Sequence, residues 1–491
     1  MKRIYLYSII LLCIVFALSG CELESKEYGK VNSSLYPTTQ RDMLDLVTSN
    51  AYGGFANSGY EGGFNVATGF HLLGDMATDF GLCAWGEGNW GQLNYANFQN
   101  KEGERNPRRS WGPYLPWISR METTIDRIKN IEGVNENLKK RSIAELECGQ
   151  AFMAFLLWDF YGEIVIADLE TLKDPQNVKI LPRKNSGETA AYIENKLRSV
   201  ISANVLVKSY VKNDAEYGRF TEGLCHMLLL KLYMQNHQWD KAITEGRELM
   251  KAEYGYGLVT DTGTAGTAYA NIFASANEGN RETIWATNGL KEYQSHIWYD
   301  HVIAWGGYKM TWDFFHTFET GDQRAGAEVI TVPATSEIGV MPVKYDMKDR
   351  TGGDCYTDWI VFRYADAITL LAEAIVHQGG TVTPEALGLL NQVRTRAGLP
   401  AYGTGDFPGK DDFIDKLLWE RAHELWYEGC RRQDLIRNNK YVEIMAEKCK
   451  RNGKTDFITT LGTKSHLFPL PDDAINEFTK GGFTGQQNPG Y

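Results

Sequence analysis

One helical hairpin limits what this chain can fold into. Apolar residues recur at helical spacing through 219–236 and again through 240–252, and only His237, Gln238 and Trp239 join the two runs. So short a connection forces the helices to pack antiparallel. Helical periodicity returns at 111–131, 138–161, 187–203, 362–377, 383–397, 411–428 and about 440–450. An earlier helix runs to about Ala51, with Thr38 or Thr39 as its N-cap, and a short apolar helical piece falls at 71–80. From Gly255 to Asp358 the periodicity lapses and Gly, Thr, Trp and Tyr dominate, with short strands expected at 283–286 and 329–332. The expected class is mostly α: a scaffold of helical hairpins with long irregular loop insertions and few short strands.

The hairpin has the layout of a tetratricopeptide unit, with Tyr233, Trp239 and Ala242 near the positions where such repeats place bulky and small packing residues. The pair at 362–397 has a similar shape with a longer turn. No low-complexity linker interrupts the chain, so residues 36–491 are read as a single domain.

The first twenty residues stand apart. Lys2 and Arg3 precede an apolar run at 9–18, and Leu18-Ser19-Gly20 leads directly to Cys21. The run is too short to span a bilayer and has the order of a secretory signal, while the cysteine's placement resembles a bacterial lipobox. Residues 1–20 are therefore expected to be removed, Cys21 to carry lipid, and residues 21–35 to act as a tether. Glu22, Glu24 and Glu27 follow closely, as in the surface-export signal of Bacteroidetes lipoproteins. The formal net charge is −11, and loss of Lys2 and Arg3 makes the mature chain more acidic still. Such a surface repels phosphate backbones, so nucleic acid is excluded as a partner. Cys83, Cys148, Cys225, Cys355, Cys430 and Cys449 show no metal-ligand spacing, and buried free thiols are expected for most of them.

The densest charge lies in residues 413–437. Ile414, Leu418, Ala422 and Leu425 form an apolar stripe, while Glu420, Glu424 and Glu428 share one face at spacing four. Glu420 and His423 form a Glu-x-x-His pair without the second pair a di-iron bundle needs, and Tyr427 stands where a zinc-protease motif requires His. Arg421, Arg431, Arg432 and Arg437 are near enough to neutralise the glutamates, with Glu428 and Arg432 spaced for an ion pair. The reading is a partly buried ion network, without metal, cofactor or catalysis. No nucleophile elbow, Walker or dinucleotide fingerprint appears in a fitting context.

Aromatic residues in loops carry the functional signal. Trp85 and Trp90 flank Asn89 in a glycine-rich stretch, and Tyr293, Trp298, Trp305 and Tyr308 crowd a second loop. Trp158, Trp239, Trp419 and Trp426 belong to helices and are expected in the core. Exposed Trp and Tyr offer a flat apolar face beside a polar handle, which suits the C–H faces and hydroxyl rims of sugar rings.

The chain resembles the SusD/RagB family of outer-membrane nutrient-binding lipoproteins. Glu420, Arg421, Glu424, Leu425, Glu428, Gly429, Arg431, Asp434, Leu435 and Arg437 reproduce its E-R-x-x-E-L-x-x-E-G-x-R-x-x-D-L-x-R run. Residues 363–374, 391–400 and the ending from Leu467 to Tyr491 are similar too, whereas Gln150 and Val165 depart from the family's usual Arg and Pro. The resemblance implies a tetratricopeptide-like helical fold and a glycan-binding lipoprotein that is not an enzyme and has no cofactor. It implies an outer-membrane location facing the cell exterior, and delivery of oligosaccharide or polysaccharide to a SusC-like TonB-dependent transporter. Carbohydrate-binding members draw stacking residues from loops corresponding to about 75–98 and 290–316 here. Service to a peptide importer is the alternative within the family; a surface glycoside hydrolase is the alternative outside it.

Overall fold

The computed structural model describes residues 36–56, 71, 73–85, 91–98, 105–174, 176–177, 179–210, 214–287, 306–346 and 357–491, with the side chains of 105–110 excepted. Thr39 opens α1 (Gln40–Val47): its hydroxyl accepts from the Asp42 amide while the Asp42 carboxylate accepts from the Thr39 amide. The scaffold proper is α2 (Arg105–Lys129), α3 (Glu136–Tyr161), α4 (Ser186–Ala203), α5 (Glu222–Gln235) and α6 (Trp239–Leu249). Asn135, Asn185 and Thr221 cap α3, α4 and α5 through their side-chain oxygens. After the long insertion come α7 (Tyr364–Gly379), α8 (Pro384–Arg396) and α9 (Lys410–Glu424), then α10 (Arg431–Arg437), α11 (Tyr441–Arg451) and α12 (Asp472–Lys480).

From α2 to α9 each helix packs against the next, and α6 meets α7 although the insertion of residues 250–363 separates them. That succession is the stacking of a tetratricopeptide-like scaffold. One hydrophobic cluster runs through it, from Met43 on α1 to Phe478 on α12. Among the described residues no helix is long and apolar enough to cross a membrane.

The insertion, joined by residues 81–83, forms two small antiparallel sheets. β1 (Gly81–Cys83), β3 (Tyr308–Thr311), β5 (Gly339–Pro342) and β4 (Ile330–Thr331) lie side by side in that order, and β2 (Thr283–Thr287) pairs with β6 (Trp359–Arg363). The expected strand at 283–286 is β2, and part of the one at 329–332 is β4. Phe362 and Arg363, read as the start of a helix, instead end β6. Trp359-Ile360-Val361-Phe362 is buried throughout, and a short apolar run lacks the alternation that would separate strand from helix.

The helix expected over 411–428 stops at Glu424. A continuing helix would bring the Glu428 amide to the Glu424 carbonyl, but that oxygen accepts from the Tyr269 hydroxyl (2.7 Å) and Arg363 Nη2 (2.7 Å). The Glu428 amide donates instead to the Leu425 carbonyl, and Tyr427 and Gly429 take φ of 58° and 73°. Side chains from the insertion thus break the helix where its own sequence would carry it on.

Candidate ligand surface and the charge network behind it

β1 and β3 join the two loop regions that the aromatic pattern singles out. Leu82 pairs with Lys309 and Cys83 with Tyr308, and the Ala84 amide continues the ladder to the Gly307 carbonyl at 2.8 Å. Asn94 clamps the far side of β1: Oδ1 accepts from the Cys83 amide and Nδ2 donates to the Cys83 carbonyl, both at 2.9 Å. Trp85 emerges directly from this clamp with its indole against Gly307, 39% exposed. Beneath it lies Tyr308, centroid to centroid 5.7 Å and tilted 35°. The tyrosine is fully buried, so it supports Trp85 rather than facing solvent. The other expected site residues, Asn89, Trp90, Tyr293, Trp298 and Trp305, lie outside the described residues, as does Cys21.

A second exposed tryptophan was not anticipated. Trp419 on α9 is 37% exposed, with the Arg431 guanidinium 5.0 Å from its ring and Phe314 stacked at 6.2 Å. Trp158 and Trp426 are buried, and Trp239 is half-buried with its ring stacked on His377. Its place in a helix assigns Trp419 to the core, but the face it occupies is open.

The turn that delivers β1 is held from the C-terminal part of the chain. Asp75 Oδ2 accepts from the Gly429 amide at 2.7 Å, and Arg431 grips both oxygens of Asp79 at 3.0 and 2.7 Å. The Lys448 ammonium on α11 donates to the carbonyls of Met76, Thr78 and Gly81, and the Tyr441 hydroxyl donates to that of Ala77. Gly429 suits this place for two reasons. Its φ is positive, and a Cβ there would lie 2.8 Å from His71 Cα. Burial raises the Asp75 carboxyl to about 8 and lowers the Lys448 ammonium to about 7.

Behind that turn lies the ion network. Arg363 is wholly buried and directs its five N–H groups to Glu282 and Glu424, to both oxygens of Glu428, and to the Glu424 carbonyl. Arg396 bridges Glu282 and Glu424, and Arg324 joins Glu420 to Asp322. On the other face of α9, Arg421 spans Asp366 and Asp434. Burial pushes the Glu424 carboxyl up, but Arg396, Arg363 and Arg324 overcome it and hold the group near 2. The expected Glu428–Arg432 pair does not form, because the chain turns between them. Glu428 takes Arg363 and Lys344, and Arg432 takes Asp159. His423 is buried against the Phe318 ring with Nε2 2.8 Å from the Thr317 hydroxyl. Each carboxylate here is committed to a cation, so none stands as a free acid or base. Among the described residues no group of three His, Cys, Asp or Glu could hold a metal ion, and Cys83, Cys148, Cys225, Cys430 and Cys449 are buried free thiols.

The tetratricopeptide-like helical fold is shared with solved SusD-like proteins. Surface glycan-binding protein A from Bacteroides fluxus superposes with a TM-score of 0.74 at 20% identity, covering 93% of this chain and all of that one. The protein of the same name from Bacteroides thetaiotaomicron, in complex with laminarihexaose, gives 0.71 at 18% identity over 92% of this chain and all of its own. At such identities the likeness is one of fold. Sequence adds that residues 330–491 match the SusD family model. A SusD-like protein of Formosa agariphila is 40% identical over 124 residues, and the match spans 24% of each chain. Nearly the whole chain thus shares its fold with these proteins, and residues 330–491 match the SusD family by sequence.

Proposed function

We propose that this protein is a surface lipoprotein that binds an oligo- or polysaccharide without catalysis and passes it to a SusC-like TonB-dependent transporter in the outer membrane. The observation that carries the reading is Trp85: an exposed indole, backed by buried Tyr308, on the ladder that joins two aromatic-rich segments far apart in sequence. A rigidly backed aromatic face loses little conformational freedom when a sugar ring stacks on it. Asn89, Trp90, Tyr293, Trp298 and Trp305 are proposed to extend this face. The fold neighbours in complex with laminarihexaose and described as laminarin-binding support a glycan for this chain also. Catalysis is set aside because the carboxylates of the 413–437 segment are locked to arginines rather than facing across a cleft.

Affinity electrophoresis against a panel of polysaccharides, with reducing ends assayed in parallel, tests this. Retardation by at least one glycan without new reducing ends is expected. Trp85→Ala should weaken retention by about tenfold or more at an unchanged melting temperature. Release of reducing ends, or retention indifferent to Trp85→Ala, would reject the corresponding part of the reading.

A further inference from the structure

A cavity of about 690 Å³ opens on a different part of the molecule, between the segment 256–268, Arg281 two residues before β2, and α8. Its volume lies within the range of small-ligand sites, and it shares no lining residue with the Trp85 surface. Although the protein carries 62 acidic residues against 51 basic ones, no Asp or Glu lines this cavity. Arg281 does, exposed, and among the described residues its guanidinium has no salt-bridge partner. Nearly every other arginine of this region is spoken for: Arg396, on the same wall, is neutralised by Glu282 and Glu424. Glu282, next in sequence to Arg281, points inward to Arg363. Asp261 turns its carboxylate to the Asn271 amide.

Apart from Leu258 and Ala268, the remaining side chains of the lining are mostly hydroxyl, amide and phenol. Thr260, Thr262 and Gln392 line the opening, and Tyr256 and Tyr364 supply rings. Gln323 Oε1 and Arg396 Nε, on lining residues, are buried with no hydrogen-bond partner. The guanidinium itself is seated over Gly257, where a Cβ would lie 2.3 Å from Arg281 Nη2. A backbone without a side chain at 257 is thus what gives the cation its place.

We propose that this cavity is a second saccharide subsite that selects sugars bearing an anionic group, a carboxylate or a sulfate, through Arg281. The guanidinium pairs in a bidentate manner with either anion, while the threonines, Gln392 and the two tyrosines meet ring hydroxyls and C–H faces. The inference rests on the glycan reading for the sugar and on the cavity's charge for the selectivity.

Titration calorimetry of the intact mature protein tests it with three probes: a hexuronate trisaccharide, the same trisaccharide with its carboxyls reduced to alcohols, and a neutral trisaccharide carrying one sulfate. The expected result is that at least one anionic probe binds about tenfold more tightly than the reduced one. Which of the two does so assigns the anion. Arg281→Gln should abolish the preference with no change in melting temperature, and Gly257→Ala should reduce it by displacing the guanidinium while leaving the charge in place. Trp85→Ala should leave the preference intact. Equal affinity for all three probes, or a preference that survives Arg281→Gln, overturns the subsite and leaves the Trp85 surface standing. Failure of every saccharide, neutral polysaccharides included, overturns the glycan reading itself.

Discussion

Asp75 binds the Gly429 amide through one oxygen and is buried enough that its carboxyl titrates near 8, so at neutral pH it is held protonated. An unfolded chain would release that proton near 4. Between those values the folded state carries one proton more, so the contribution of Asp75 to stability is full below about pH 4 and is lost as pH rises through about 8. His71 titrates in an overlapping window, lowered by burial to about 4, and acts in the opposite direction. The effect is therefore isolated by difference. Asp75→Asn keeps an oxygen for the Gly429 amide and has no proton to lose. The stability of the parent protein relative to this variant should fall by up to about 1.4 kcal/mol per pH unit from pH 4 to 8. Urea unfolding across that range measures it. A difference independent of pH would mean that Asp75 is ionised in the fold.

The six residues between α9 and α10 link the buried ion network to the ligand surface. Their glycine and the arginine two places on hold Asp75 and Asp79, and the turn between those carboxylates sets the direction of β1 and hence of Trp85. Arg431→Gln should therefore weaken glycan retention by about tenfold although Arg431 is far in sequence from any proposed ligand contact. Calorimetry with the best-retained polysaccharide at a temperature where the variant is fully folded separates this from a loss of stability. Unchanged affinity would leave the linker with a structural role alone. That coupling was not legible in the sequence. The run of Glu and Arg in 413–437 could be read as an ion network because cations outnumber what the glutamates need. Where each pair closes depends on Arg363, Arg396, Arg324 and Lys344, which come from outside the segment. The helix end at Glu424 was hidden for the same reason, since Tyr269 and Arg363 take its carbonyl. β1 and β3 were missed because three or four residues cannot display a period, and their partners lie more than two hundred residues apart.

Over the whole molecule, the helical hairpins were readable because each carries its own period and a short connection, and the packing of α6 on α7 across the insertion follows once both exist. Of the proposed ligand surface, the sequence identified Trp85 but could not tell exposed Trp85 from buried Tyr308 or half-open Trp419, since exposure is set by neighbours distant in sequence. The N-terminal segment is a different matter, because its proposed role rests on the order of residues alone. A chain with a net charge of −11 is repelled by an anionic membrane surface, and no described helix is long and apolar enough to cross the bilayer. Attachment is then expected to depend on the acyl chains at Cys21, with about 0.8 kcal/mol gained per buried CH₂. Cys21→Ser should move the protein from the outer-membrane fraction to the soluble fraction while the purified variant retains its glycan as the parent does. Growth on that glycan should fail, because delivery to a membrane transporter needs the binder beside it. Cys21→Ser protein that stays with the membrane after a wash in 1 M salt would show that a protein partner, rather than lipid, holds it there.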